Sequence, residues 1–272
     1  MLAINAAALI LGLLAVALQS AVPSGRPCDS GLLTVLMTST LLATAIAGLA
    51  VDGASRWIAI GPVAIQPSLI IIPVMVLMFA HDHGPTSTLG VLIAALALAM
   101  QPDRAMAGVL VAGLAVIAIA HRDRLVLVAL AASAVSFLVA MGRPDVLPAV
   151  PYVDQILYTA FGAHILAGAA VLGGVSLLLV PALHGLLSGS TDRTMSLVFG
   201  AIWLSIIAAA ALGDYPTPVV GYGGSAILGY LLSLGVLLRS ANAQNAAGSP
   251  QQSKSPSRGR DLHSSFAPTQ PA

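Results

Sequence analysis

The sequence predicts an all-α fold, a polytopic membrane bundle of about nine transmembrane helices, and three observations support this fold class. Hydrophobic residues make up 58% of the 272 residues, whereas charged residues make up only 8%; a soluble domain carries charge on about a quarter of its residues. The mean hydropathy is high, at +0.95. Long apolar stretches follow one another with few interruptions. These features exclude a water-soluble globular enzyme, and a net charge of +1 offers no basic face to a nucleic acid.

Apolar stretches of about 20 residues, the length that crosses a bilayer as a helix, define the predicted spans. Every charged residue lies outside these stretches. The seventh stretch is too long for one perpendicular helix, so we expect it to tilt, to break near Pro181 or to begin outside the membrane. The stretches are 2–22, 32–51, 62–80, 86–100, 105–120, 125–141, 155–187, 195–212 and 218–238.

The composition changes after residue 238, where the apolar stretches end. Residues 239–272 are rich in Ser, Gln, Pro, Ala and Asn, a composition that cannot bury a hydrophobic core. We therefore divide the chain into a membrane-embedded domain, 1–238, and a disordered cytoplasmic tail, 239–272. The single cysteine, Cys28, excludes an intrachain disulfide and a cysteine-based metal cluster.

The positive charges predict how the chain is oriented. Cytoplasmic loops carry the excess of Lys and Arg. Placing the C-terminal tail inside puts all 11 Lys and Arg residues on that side except Arg56, Arg104 and Arg143. With an odd number of spans, the N-terminus then lies outside and the C-terminus in the cytoplasm.

Four short segments share the outer face under this orientation, and they hold the three remaining arginines together with half of the aspartates. Such a polar cluster above a nearly charge-free bundle is what a site for an anionic, lipid-linked substrate needs. Plain helix ends that carry Asp and Arg are the alternative. The segments are Val51–Trp57 with the following Gly61 and Pro62, Gln101–Arg104, Gly142–Asp154 and Gly213–Ser225.

Three of these segments carry motifs that resemble one family. Residues 56–68, RWIAIGPVAIQPS, resemble the R-W-I-x-x-G-P-x-x-x-Q-P-S-E signature of the FtsW/RodA/SpoVE proteins, the SEDS family. Residues 101–103, QPD, resemble its Q-P-D-L-G-T, and residues 218–225, PVVGYGGS, resemble its P-F-x-S-Y-G-G-S. The motifs occur in family order. The family usually has ten spans with both termini inside, so the resemblance implies that its first helix is absent here.

The resemblance implies a role in peptidoglycan synthesis during cell division or in the control of cell shape. Such proteins lie in the bacterial inner membrane and polymerise lipid II, an undecaprenyl-pyrophosphate-linked disaccharide. They work beside a transpeptidase of the class B penicillin-binding protein type. An aspartate of their large outer loop acts as the general base on the attacking sugar hydroxyl, and that position falls on Asp154. We expect no cofactor, with a divalent cation left open.

The resemblance also implies a set of substrate-binding residues. Arg56 is the candidate contact for the pyrophosphate, because a guanidinium binds phosphate in a bidentate way. The remaining candidates are the matched motif residues Gln66, Ser68, Gln101, Asp103, Tyr222, Gly223, Gly224 and Ser225.

Departures from the family pattern leave open whether the chain is an enzyme. The family's Q-P-S-E-x-x-K is QPSLIII over residues 66–72, without the acid and the lysine, and its later Glu-Glu pair is replaced by Ala163 and His164. Asp154 is alternatively a helix cap or a solvated loop residue. The competing functions are a non-catalytic lipid II-binding or regulatory scaffold and a transporter or flippase. Transporters of charged substrates normally keep charges within their spans.

Other polar and small residues in the apolar stretches have structural interpretations. His164 is expected to make a structural hydrogen bond inside the bundle. The turn His81–His83 is expected to be solvated rather than to bind a metal. Close helix packing is expected at Gly168, Gly173, Gly174 and Gly229.

Overall fold

A computed structural model of the chain shows eleven helices and three short strands within the residues that it describes. Those residues are 2–21, 30–51, 54–61, 63–143, 153–188, 193–213, 215–218 and 223–248. The helices are α1 (Leu2–Ala21), α2 (Ser30–Ala47), α3 (Pro67–His81), α4 (Pro85–Met100), α5 (Arg104–Ala120), α6 (Arg124–Met141), α7 (Ile156–Ala163), α8 (Ile165–Leu177), α9 (Val180–Leu187), α10 (Arg193–Leu212) and α11 (Gly224–Gly248). The strands are β1 (Leu49–Val51), β2 (Ala54–Ile60) and β3 (Val63–Ile65).

The helices form the bundle of a multi-pass membrane protein, as predicted. α1, α6, α10 and α11 are long and apolar enough to cross a membrane, and the pair α8 and α9, bent by 46°, is a fifth if it counts as one span. Four shorter apolar helices, α2 to α5, accompany them. By length and composition the described residues therefore support four or five spans, and the predicted count of nine is not confirmed. Large apolar side chains face outward, including Leu138 at 68% and Leu212 at 88% exposure, which suits contact with lipid.

α3 lies at the centre of the bundle. It packs against α2, α5, α10 and α11, and it buries side chains on all of its faces, including Ile72, Met75 and Leu77. A helix that is apolar all round belongs in such a position. The first turn of α3 therefore reaches the end of the bundle from inside the packed core.

α1 and α11 run parallel to each other. Ala8 lies beside Gly224, at the start of α11, whereas Gln19 lies near Gly235, further along both helices. Both helices therefore begin at the same end of the bundle, so the N-terminus of α1 and the C-terminus of α11 lie at opposite ends. The assignment of these ends to the outside and the cytoplasm stays a prediction.

The long apolar stretch 155–187 forms three helices rather than one. α7 ends where His164 takes an extended conformation, and the Nδ1 of His164 accepts a hydrogen bond from the N–H of Leu166 at 3.1 Å. α8 and α9 meet at the bend, with Pro181 in the first turn of α9. The predicted break near Pro181 is confirmed. His164 makes a structural hydrogen bond, but as the exposed cap of α8 and not inside the bundle.

Three strands that the sequence analysis did not predict lie between α2 and α3. β2 pairs antiparallel with β1 on one side and with β3 on the other. Gly61, at φ +59°, begins the turn between β2 and β3, a conformation that favours glycine. The predicted helices 32–51 and 62–80 are therefore wrong at the ends that face each other, because α2 stops at Ala47 and α3 starts at Pro67.

α11 continues beyond residue 238, where the sequence placed the boundary between the membrane domain and the tail. The helix ends at Gly248, so the disorder predicted from residue 239 is corrected to helix for 239–248. Residues 249–272 lie outside the described residues.

α3 and α11 make a backbone contact next to a proline. Pro73 has no N–H and cannot donate to the carbonyl of Leu69, one turn earlier in α3. Gly229 of α11 lies directly against this carbonyl, and a Cβ at position 229 would overlap it. The absence of a side chain therefore permits the close approach of the two helices that was predicted for Gly229.

We expect Gly229→Ala to lower the free energy of unfolding by about 1–3 kcal/mol, because the added methyl group meets backbone that cannot move aside. Gly173→Ala is the matched control: a Cβ at Gly173 meets no described atom within 4 Å, and alanine favours the helix. Thermal unfolding of the purified protein in detergent measures both. Equal melting temperatures for the two variants would contradict the α3–α11 contact.

Candidate functional site

The three arginines predicted on the outer face all donate to carbonyls at helix ends. Arg56, on β2, donates from Nη2 to the carbonyl of Pro102, just after α4, at 2.5 Å. Arg104 donates from Nε to the carbonyl of Ala140, near the end of α6, at 3.3 Å, and Arg143 donates from Nη1 to the last carbonyl of α4 at 3.4 Å. Helix C-termini carry a partial negative charge, so these cations stabilise the ends of α4 and α6.

Arg56 is the most enclosed of the three, with 3% of its surface exposed. Its Nε donates to the carbonyl of Gln101 at 3.5 Å, and its Cζ lies 5.8 Å from the centre of the Tyr215 ring. That distance allows a cation–π interaction. The positive charge is therefore fixed between the end of α4 and an aromatic face of the segment that precedes α11.

Asp154 is held against that same segment by the backbone. Asp154 and Pro216 form an isolated antiparallel β-bridge, and the N–H of Thr217 donates to the carbonyl of Val153 at 3.1 Å. Asp154 is 7% exposed, and the residue that caps α7 is Gln155, at φ +57° and without a side-chain cap bond. The alternative of a solvated loop residue is therefore wrong, and the N-cap position of α7 belongs to Gln155 and not to Asp154.

Asp103 lies at the centre of a buried hydrogen-bond network. Its Oδ2 accepts from the hydroxyl of Ser68 at 2.9 Å and from Nε2 of Gln66 at 3.1 Å. Its Oδ1 accepts from the N–H of Met106 at 3.1 Å, which makes Asp103 the N-cap of α5. The N–H of Gln66 donates to Oγ of Ser225 at 3.0 Å. The network joins the first turns of α3, α5 and α11.

A cavity of about 610 Å³ opens at this end of the bundle, within the size range of ligand sites. Among the described residues that line it, Arg56 and Asp154 are the charged ones, and most of the others are apolar. One wall is the start of α1, and another is β3 with the first turn of α11. The predicted site residues in the lining are Arg56, Gln66, Asp154, Gly223, Gly224 and Ser225.

The remaining predicted site residues are not part of this lining. Ser68 and Asp103 are buried in the network, and Gln101, 1% exposed, donates from Nε2 to the carbonyl of Leu41 at 2.8 Å. These contacts position the residues of the wall. Tyr222 lies outside the described residues. The substrate contacts predicted for all four stay predictions, as does the catalytic role of Asp154.

Sequence reasoning missed several residues of the lining. Trp57, Tyr215 and Thr217 belong to segments that were assigned to the outer face, and Trp57 is part of the first motif, but none of them was predicted as a site residue. α1 was treated only as a span. Its lining residues are spaced so that they share one helical face. This spacing cannot be recognised in the sequence, because α1 is apolar on every face. The lining residues of α1 are Ile4, Ala7, Ala8 and Leu11.

Metal-ligating side chains do not gather at the site. Within the described ranges, no three or more His, Cys, Asp and Glu side chains come close enough together to hold a metal ion. In the turn between α3 and α4, the ring of His83 lies 5.4 Å from the ring of His121, centre to centre. This histidine pair joins the turns that follow α3 and α5 and takes no part in the cavity.

Comparison with solved structures identifies the fold. The chain matches two crystal structures of the rod shape determining protein RodA of Thermus thermophilus, one of them an aspartate-to-alanine mutant. The TM-score is 0.58 for both, with 23% sequence identity to the mutant and 21% to the other. The matches cover 89% of this chain and 88% or 87% of the RodA chains. The chain has the RodA fold.

This result confirms, at the level of the fold, the likeness to the SEDS family that the motifs predicted. No protein-family model and no curated protein matches the chain. Two residues at which this sequence departs from the family motif have clear positions in the structure. Leu69, at the position of the family's glutamate, lines the cavity, and Ile72, at the position of its lysine, is fully buried.

We expect Asp103→Ala to destabilise the protein strongly, because it removes the acceptor of three buried donors. Each buried donor left without a partner costs about 1–3 kcal/mol. Asp123→Ala is the matched control: Asp123 is also an aspartate N-cap, of α6, but it is exposed, and its carboxylate accepts from the N–H of Leu125, at 2.7 Å. Loss of an exposed cap costs about 1 kcal/mol. Equal melting temperatures for the two variants would show that the network does not support the fold.

Proposed function

We propose that the chain is a SEDS-type protein of peptidoglycan synthesis that binds lipid II in the 610 Å³ cavity and polymerises it. The observation that carries the proposal is the placement of Arg56 and Asp154 in the lining of one largely apolar cavity. A site that binds a lipid-linked diphosphate sugar and reacts with it requires three elements: a cation, a carboxylate and an apolar wall. The cation contacts the diphosphate, the carboxylate acts on a sugar hydroxyl, and the wall takes the hydrocarbon.

In the proposed reaction, Asp154 accepts the proton of a hydroxyl of the acceptor sugar. The hydroxyl oxygen forms a bond to the anomeric carbon of the donor, and the bond between that carbon and the diphosphate oxygen breaks. The electron pair leaves with the diphosphate, whose growing charge is stabilised by Arg56. The backbone bridge between Asp154 and Pro216 supports this role, because it holds the base in one position.

The apolar wall supports the same substrate. The first turns of α1 and α11 line the cavity with apolar residues, and α1 has further large apolar side chains exposed along its length, including Leu14 and Leu18. A polyprenyl chain placed along them stays in an apolar environment, while its diphosphate lies near the end of the bundle. We propose that this end of the bundle lies at the outer face of the bacterial inner membrane, with the C-terminus in the cytoplasm.

A lipid II-binding scaffold without catalytic activity is the second candidate, and one observation favours it. Leu69 and Ile72 place apolar groups where the family has a glutamate and a lysine. Charges inside a membrane are costly and are kept for function, so their replacement favours a protein that has lost the catalytic step. A transporter or flippase has less support, since the central helix α3 presents a core of apolar side chains.

As an enzyme or as a scaffold, the protein is proposed to work beside a class B penicillin-binding transpeptidase, in division or in elongation. No organic cofactor enters this chemistry, and chelation with EDTA tests whether a divalent cation assists.

We expect the purified protein in nanodiscs to polymerise lipid II, alone or with the transpeptidase, and Asp154→Asn to reduce the rate by about 10²–10⁴-fold, the usual contribution of a general base. Asp82→Asn, at the exposed turn after α3, is the control and should leave the rate unchanged. Gel electrophoresis of fluorescent glycan chains provides the readout.

The outcomes separate the candidate functions. Full activity of Asp154→Asn would refute the catalytic assignment. Binding of lipid II by the wild type without polymerisation under either condition would favour the scaffold. A wild type that neither binds nor polymerises lipid II would refute both.

A further inference from the structure

Thr217 carries a buried hydroxyl to which no described residue makes a hydrogen bond. The residue is 0% exposed and lines the 610 Å³ cavity, and its Oγ1 has no hydrogen-bond partner. Buried polar groups in folded proteins are almost always hydrogen-bonded, and a hydroxyl left without a partner destabilises the fold. A group retained at this cost in a cavity wall is well suited to bind a ligand.

The backbone fixes this hydroxyl next to the proposed base. The N–H of Thr217 donates to the carbonyl of Val153 at 3.1 Å, and its neighbour Pro216 forms the β-bridge with Asp154. Two chain segments are thus paired side by side, one with the carboxylate and one with the hydroxyl. Both residues belong to the lining of the same cavity.

The charges around Thr217 indicate which part of a substrate it meets. An anionic group beside Asp154 would be repelled by the carboxylate, and the cation of the cavity is Arg56, which lies over Tyr215. A neutral sugar hydroxyl suits the position near Asp154, because it can donate to the carboxylate and accept from the threonine at the same time.

We propose that the Oγ1–H of Thr217 donates a hydrogen bond to the sugar oxygen whose proton Asp154 accepts. Thr217 thereby selects the sugar part of the substrate, while Arg56 contacts the diphosphate. This inference rests on the proposed binding of a lipid-linked sugar in the cavity, but it holds for a scaffold as well as for an enzyme. In an enzyme the bond strengthens as negative charge develops on the attacking oxygen.

The test compares two ligands on the full-length protein in nanodiscs: lipid II, and undecaprenyl diphosphate without sugar. We expect Thr217→Val, which has nearly the same shape but no hydroxyl, to weaken binding of lipid II by about threefold to tenfold, the usual effect of one hydrogen bond. Binding of undecaprenyl diphosphate should not change. Thr217→Ser, which keeps a hydroxyl, should restore most of the affinity for lipid II.

The outcomes distinguish this inference from the proposed function. Unchanged binding of lipid II by Thr217→Val would overturn the inference, and so would equal weakening of both ligands, which indicates a structural role. Selective weakening in a protein that does not polymerise lipid II would refute the proposed catalysis and support the inference. A wild type that binds neither ligand would overturn both.

Discussion

The site depends on the burial of one carboxylate. Asp103 is excluded from water, and a buried charge is tolerated only where hydrogen bonds replace its hydration. Gln66, Ser68 and Met106 supply those bonds, which forces the first turns of α3 and α5 to meet. That meeting presents the backbone of Gln66 to α11 and places the end of α4 where β2 can reach it. The floor of the cavity and the position of its cation both follow from this network.

The sequence was sufficient to predict the helical bundle and the convergence of the polar segments, because the length of an apolar stretch and the placement of charges are local properties. It was not sufficient to predict the three strands β1 to β3. Ile58 and Ile60 are apolar residues between two predicted spans. Gly61 and Pro62 were assigned to the outer face, with Pro62 as the first residue of the span 62–80, and not to a turn between strands. The partner of Asp154 was equally hidden: a cap is predicted from residue type and position, whereas the bridge to Pro216 joins segments far apart in the chain.

The departures from the family pattern change the physical character of the cavity. With leucine at position 69 and isoleucine at position 72, the charges of the described lining reduce to Arg56 and Asp154. A single cation and a single carboxylate in apolar surroundings interact more strongly with a charged ligand than the same groups in water. Desolvating that ligand, however, costs more as well. The balance between these two effects sets the affinity of the cavity for a charged ligand.

The parallel contact between α1 and α11 has a consequence for biosynthesis. α1 packs mainly against α11, so α1 finds its main partner only after α11 has been synthesised. Contacts between such distant parts of a chain form late, because the intervening segment must be ordered first. The wall that α1 provides therefore closes late in assembly. A nascent chain without α11 has no complete cavity, because α11 supplies part of the lining.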